Sequence, residues 1–245
     1  MLVSIVVPVL DEAPIIRAFL EHLRAVAPAA EIIVVDGGST DETLALCHGL
    51  ADHVSQTTRG RARQMNAGAQ IAHGDAFWFV HADSRIASNS LAAIENALRD
   101  SAMVGGCFRL EIIPRRWIYG IRDALGDGCV DMFKIALGDR GVFCRRESFF
   151  AAGQYPDQPL LEDADFYCHL RRLGGVKRVD AKIQTSARRY EALGPIRTSL
   201  FYLLVMTLYF LGARMSFLEK LVRWFSVRQA RNQNHPRRRL LTSSP

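Results

Sequence analysis

Apolar positions along the chain follow two alternating rhythms. Short runs at Leu2–Val7, Glu31–Val35, around Val54 and Ala76–Val80 carry few polar interruptions and end at turn residues. Runs of this kind predict strands buried on both faces. Between them, Glu12–Val26, Thr40–Leu50, Arg61–Ile71 and Ser90–Leu98 show helical spacing and predict helices. Residues 103–113 return to a strand-like pattern. A glycine-rich mixed stretch follows to about residue 145, and Leu161–Phe166 reads as an acidic helix start. Repeated β-α units with short connections predict an α/β fold, a mostly parallel central sheet with helices on both faces. No repeat or low-complexity linker breaks 1–196, which reads as one domain.

The most apolar run comes later, at 199–213. Arg197 and Arg214 bracket 16 uncharged residues, roughly 24 Å of helix against a hydrocarbon core of about 30 Å. A second apolar and basic stretch follows, with Phe217, Leu218, Leu221, Val222, Trp224 and Phe225 beside Lys220, Arg223 and Arg228. Residues 197–228 therefore predict a helical appendage. It either lies on a membrane surface or packs on the sheet or a second subunit. Residues 229–245 read as a basic, disordered tail.

Charge sharpens this division. The chain carries a net charge of +6, but residues 214–245 hold eight basic residues and one acid. The body, 1–213, has 23 basic and 24 acidic residues, so the basicity belongs to the tail. A nucleic-acid-binding enzyme carries its positive face on the folded body, which argues against that partner. With 49% apolar residues over 245 positions, a full core is expected. Five scattered cysteines without a C-x-x-C pair suit reduced thiols in a cytosolic setting. The amino terminus starts directly with a strand and shows no secretory leader.

Chemistry gathers after the strands. Ile32-Ile33-Val34-Val35 leads into Asp36-Gly37-Gly38-Ser39-Thr40-Asp41-Glu42-Thr43, a two-glycine turn that opens a helix, with Ser39 and Glu42 spaced as a capping box. Asp36 thus stands at the carboxyl end of a central strand, where open α/β sheets bind ligands. The first βα turn, Pro8-Val9-Leu10-Asp11-Glu12, has no glycine, so the dinucleotide fingerprint is missing, and no P-loop occurs anywhere. Acids occupy the edge instead: Asp11, which reads as a helix N-cap, then Glu12, Asp36 and Asp83. Carboxylates there suit ribose hydroxyls, base N–H groups and a hard divalent cation. Arg59, Arg61 and Arg63 open a helix and offer cations to an anion. Glu162-Asp163 suits the helix dipole and equally supplies a general base. Gly138-Asp139-Arg140-Gly141 reads as a tight loop able to line an acceptor site, and Arg188-Arg189-Tyr190 as cations for a leaving diphosphate.

Taken in order, Pro8–Glu12, Val34–Asp41, Asn66-Ala67-Gly68, His81-Ala82-Asp83 and Glu162-Asp163 resemble family 2 glycosyltransferases, and more narrowly a short bacterial subgroup with His-Ala-Asp in place of Asp-x-Asp. The resemblance covers about 1–195. It implies the GT-A fold, with a nucleotide-binding half (1–100) and an acceptor half (101–196), and inversion at the anomeric carbon. It also implies that Glu12, Asp36, Arg63 and His81 contact the nucleotide of a nucleotide-sugar donor. On the same basis Asp83 binds Mg²⁺ or Mn²⁺, and Asp163 is the base. Asp139, Arg140 and Glu162 would face the acceptor, and Arg188 and Arg189 the diphosphate. A neutral imidazole at His81 cannot supply the charge of the family's first aspartate, so metal affinity is expected to be lower or pH-dependent. Two other readings stay open: a version peripheral to the inner face of the cell membrane acting on a lipid or isoprenoid acceptor, and a non-catalytic nucleotide-sugar-binding protein.

Overall fold

A computed structural model describes residues 1–136, 140–187 and 194–233. The chain divides into two compact units, Met1–Ser186 and Ala187–Pro245. The first unit is built on one eight-stranded sheet. Its strands are β1 (Val3–Val9), β2 (Glu31–Asp36), β3 (His53–Gln56), β4 (Ala76–Phe79), β5 (Ser84–Ile86), β6 (Met103–Ile113), β7 (Phe143–Arg145) and β8 (Gly175–Ser186). Their spatial order is β3-β2-β1-β4-β7-β6-β8-β5. β3, β2, β1 and β4 are mutually parallel, and β6 is parallel to β8; β7 runs antiparallel to both β4 and β6, and β5 antiparallel to β8.

Apolar strands with both faces covered need helices on each side. On one face, Ile5, Val7, Ile32, Val34 and Trp78 pack with Phe19, Leu20 and Leu23 of α1 (Ala13–Val26) and Ile94 of α4 (Ser90–Leu98). On the other, Val6, Ile33, Val35, Phe77 and Phe79 pack with Met65 of α3 (Arg61–Ile71), Phe149 of α6 (Arg146–Ala151) and Phe166 of α7 (Glu162–Leu170). The alternation Ile5/Val6/Val7 is the strand period made visible, one residue to each layer.

Three expectations change. The helix expected over Thr40–Leu50 is only α2 (Thr43–Cys47), because His48 turns extended and Gly49 takes φ +80°. Ser39 and Glu42 form no capping box; Glu42 is the N-cap residue, and its side chain makes no capping bond. The glycine-rich stretch holds a seventeen-residue helix, α5 (Trp117–Phe133). Its inner face is Tyr119, Asp123, Asp127 and Val130, while Trp117, Ile121, Leu125, Met132 and Phe133 are exposed.

The second unit contains two helices, α8 (Pro195–Phe210) and α9 (Met215–Gln233), so the helix continues into the segment expected to be disordered. Phe201 and Phe225 stack at 3.6 Å and pin the pair. No helix of the described residues is long and apolar enough to cross a membrane.

Candidate active site

The carboxyl ends of β1 and β2 are locked together by short polar side chains. Asp36, the last residue of β2, is completely buried. Its carboxylate accepts the main-chain N–H groups of Gly38 and Ser39 and the Gln56 amide, each at 2.9 Å, and also the Ser39 hydroxyl. Burial alone would raise its pKa. The hydroxyl of Ser39, the Gln56 amide and the two N–H groups outweigh that and hold Asp36 below the usual carboxylate value. Through these contacts Asp36 shapes the turn that follows β2.

The turn then latches onto the β1–α1 loop. Ser39 Oγ accepts the Asp11 N–H at 2.9 Å, Thr43 Oγ1 the Glu12 N–H at 2.7 Å, and Asp41 the Ala13 N–H at 3.1 Å. In return Asp11 Oδ1 accepts the Thr40 N–H at 2.8 Å. Asp11 is therefore not the N-cap of α1. It sits at φ +53°, and half-buried Glu12 takes the N-cap position without capping through its side chain.

Helix α3 ties this rim to the second half of the unit. The buried Gln64 amide donates to Val9 O at 2.7 Å and Val35 O at 2.9 Å, bonding the last carbonyl of β1 and the next-to-last of β2 at once. A side chain at Gly37 would meet Gln64 at 3.0 Å, so glycine is what admits that amide. Asn66 clamps the Tyr155 backbone from both sides, donating to its carbonyl at 2.8 Å and accepting its N–H at 3.0 Å. A Cβ at Gly68 would stand 2.4 Å from Val6 Cγ1, so glycine sets how closely α3 approaches the sheet. The Asn66-Ala67-Gly68 motif is thus structural on both counts.

The acids of α7 meet α3 at its first turn. Leu161, at φ +59°, turns the chain into the helix, and Glu162 and Asp163 follow, both buried. Arg61 bonds Glu162 Oε1 and reaches Asp163 Oδ2 at 3.6 Å. Beneath them the Tyr155 ring packs on Phe79 at 4.9 Å and Phe166 at 4.3 Å. Its hydroxyl, like Glu162 Oε2, is buried with no hydrogen-bond partner among the described residues. Burial first, then the neighbouring Asp163, pushes the Tyr155 phenol well above its ordinary pKa, so it stays neutral. Phe79 is the last residue of β4, and Asp83 lies four residues on, just before β5. Through these contacts the turn of Asp36 and the carboxylates of α7 are joined by α3, and α7 is packed on the strand that leads to Asp83.

Asp83 is exposed and makes no hydrogen bond or ion pair among the described residues, while His81 is half-buried. Arg63, expected at the nucleotide, pairs with Asp157 on the surface, its Nε 2.9 and 3.0 Å from the two carboxylate oxygens and its Nη2 2.7 Å from one of them. Arg140, expected to face an acceptor, is buried and paired with Asp127 of α5; Arg109 Nε reaches the same carboxylate at 3.1 Å. Asp139, Arg188 and Arg189 lie outside the described residues. Gln64 and Tyr155 were missed, while Arg61, read with Arg59 and Arg63 as a cation for an anion, pairs with Glu162 and Asp163.

A second polar cluster occupies the opposite, amino edge of the sheet, where Glu31, His53 and His73 bring their ligand atoms within 4.8 Å of one another.

Residues 4–150 match the model of glycosyl transferase family 2. The chain belongs to that family. Among curated relatives, this family 2 glycosyltransferase is 28% identical over 176 residues to a PGL/p-HBAD biosynthesis glycosyltransferase of Mycobacterium tuberculosis (strain ATCC 25177 / H37Ra), covering 66% of this chain and 67% of that protein. Among solved structures it is similar to the mannosyltransferase PcManGT from Pyrobaculum calidifontis, in complex with GDP-Man and Mn²⁺ (TM-score 0.63, 18% identity, 98% of this chain and 78% of that one). It is also similar to S. aureus TarS 1–349 (TM-score 0.61, 18% identity, 81% of this chain), of which it spans 65%, just under two thirds. These likenesses establish the GT-A fold of the family 2 domain.

Proposed function

We propose that the domain transfers a sugar from a nucleoside-diphosphate sugar to an acceptor hydroxyl with inversion at the anomeric carbon. One observation carries this reading: a buried carboxylate pair, Glu162-Asp163, starts a helix and is bridged by Arg61 to the same helix that fastens the ends of β1 and β2. Solved relatives of this fold hold donors: PcManGT with GDP-Man, and TarS 1–349 with UDP-GlcNAc.

In this reading Asp163 accepts the proton of the acceptor hydroxyl as its oxygen attacks the anomeric carbon. The bond from that carbon to the diphosphate oxygen breaks, and the nucleoside diphosphate leaves with the electron pair. Arg61 and Glu162 fix where Asp163 points, so holding donor and acceptor in line supplies much of the rate. Glu12 and His81 are kept as nucleotide contacts. Asp83 fits one protein ligand of Mg²⁺ or Mn²⁺, because its carboxylate is exposed and unengaged among the described residues. Such a cation, when bound, neutralises charge on the departing diphosphate.

The test is a thermal-shift survey of UDP, GDP and their sugars with and without Mn²⁺, followed by NMR of the transferred sugar's anomeric configuration. Stabilisation by one nucleotide class and an inverted product are expected. A retained configuration would overturn the assignment of Asp163 as base.

The exposed apolar side chains Leu200, Leu203, Leu204, Phe210, Phe217 and Trp224 favour a membrane-associated version with a lipid-linked acceptor. Sedimentation with anionic vesicles should be lost in a Leu203→Glu, Leu204→Glu variant. Equal sedimentation of the two proteins removes that version.

A further inference from the structure

We propose that Glu31, His53 and His73 form a binding site for a zinc-class divalent metal ion, separate from the rim where sugar transfer is placed. Glu31 opens β2, His53 opens β3, and His73 lies between α3 and β4. The cluster therefore sits where the parallel strands begin. Five residue steps of β2 separate Glu31 from Asp36, about 16 Å at the usual strand rise.

The donor set is two imidazoles and one carboxylate. Glu31 Oε1 lies 2.7 Å from His73 Nδ1 and 3.3 Å from His53 Nε2, and the two rings are 5.5 Å apart, tilted by 39°. A cation among these three atoms needs only a small spreading of the side chains, each imidazole binding through the nitrogen that now faces the carboxylate. That combination suits zinc and its transition-metal neighbours. Magnesium and calcium prefer oxygen alone.

The carboxylate is held in advance. Its other oxygen, Oε2, accepts the Ser4 hydroxyl and the His73 main-chain N–H, the latter at 2.8 Å. Ser4 is itself fixed, accepting the Gly74 N–H at 2.8 Å. Glu31 is thus locked in rotation with Oε1 turned to the histidines. Outer contacts of this kind orient metal ligands. His73 and His53 are 70% and 43% exposed, which leaves an open side for water and an entry path. An ion there would brace β2, β3 and the approach to β4, and so stabilise the fold without joining the transfer chemistry.

The test uses the full chain stripped with EDTA and titrated with Zn²⁺ or Mg²⁺ by calorimetry and thermal shift. One Zn²⁺ per chain is expected, with Tm rising by roughly 5–10 °C at a hundredfold excess over Kd, and no matching response to Mg²⁺. His53→Ala and His73→Ala should each weaken Zn²⁺ binding at least about tenfold, and Ser4→Ala about 10–100-fold. The Co²⁺ absorption spectrum gives a check on ligand type and should lose intensity in the histidine variants. Absence of saturable Zn²⁺ binding by the wild-type chain overturns the site. So does binding, with an unchanged Co²⁺ spectrum, that survives in the His53→Ala, His73→Ala double variant.

Discussion

Asp36 and Glu31 close the two ends of one strand, and both are held below the usual carboxylate pKa against the opposing effect of burial. Their partners differ in kind. Asp36 is surrounded by two peptide N–H groups, an amide and a hydroxyl, donors that never titrate near neutrality. Glu31 shares one oxygen with a peptide N–H and a hydroxyl, and offers the other to two imidazoles. The first arrangement fixes a backbone turn permanently. The second leaves one oxygen able to exchange its neighbours for a metal. At the carboxyl rim, the base proposed for sugar transfer is Asp163, which Arg61 of α3 reaches at 3.6 Å.

The sharpest way to break this contrast is Asp163→Asn, which removes the proposed base while leaving the strand-end turn intact. Turnover should fall by about 10²–10⁴-fold with nucleotide binding retained, measured by product formation and calorimetry. Asp36→Asn should lower stability by about 3 kcal/mol, since an amide turns a donor toward donors; chemical denaturation checks this. The same substitution should flatten the acid limb of the stability curve. Asp36 has a folded pKa below its unfolded value, so its stabilisation is complete above about pH 5 and is lost as pH drops through the folded pKa. Gly68→Ala should cost about 1–3 kcal/mol by pushing α3 off Val6. The smallest effect belongs to Arg63→Ala. Its pair with Asp157 is about half exposed, so Tm should stay within the error of a thermal-shift measurement.

The parallel half was largely readable from the chain. α3 and α4 fall on their expected bounds, and β1, β2 and β4 lie within two residues of theirs, because both-face burial writes itself as uninterrupted apolar runs. α5 was invisible for a physical reason. It buries Asp123 and Asp127, which meet the Ile112 N–H and Arg140, and turns Trp117, Ile121 and Leu125 outward. An inverted helix has no conventional amphipathic signature. β8 was passed over although its second half alternates plainly: Val179, Ala181, Ile183 and Thr185 are buried while Asp180 and Lys182 between them are exposed. At the site, Asp36 was noticed for its type and position, while its saturation depends on Gln56, twenty residues on. Gln64 escaped notice because a glutamine within a helix looks like any solvated residue until two strand ends converge on it.

β7 runs against its neighbours, with Phe143 opposite Trp78 and Val142 O accepting the Phe79 N–H at 2.9 Å. The peptide entering that strand consequently arrives beside the exit of β4, whereas every parallel strand is entered from the far side. Insertions or deletions upstream of Val142 therefore act on a single connection, while Ile5, Val34 and Trp78 keep their partners undisturbed.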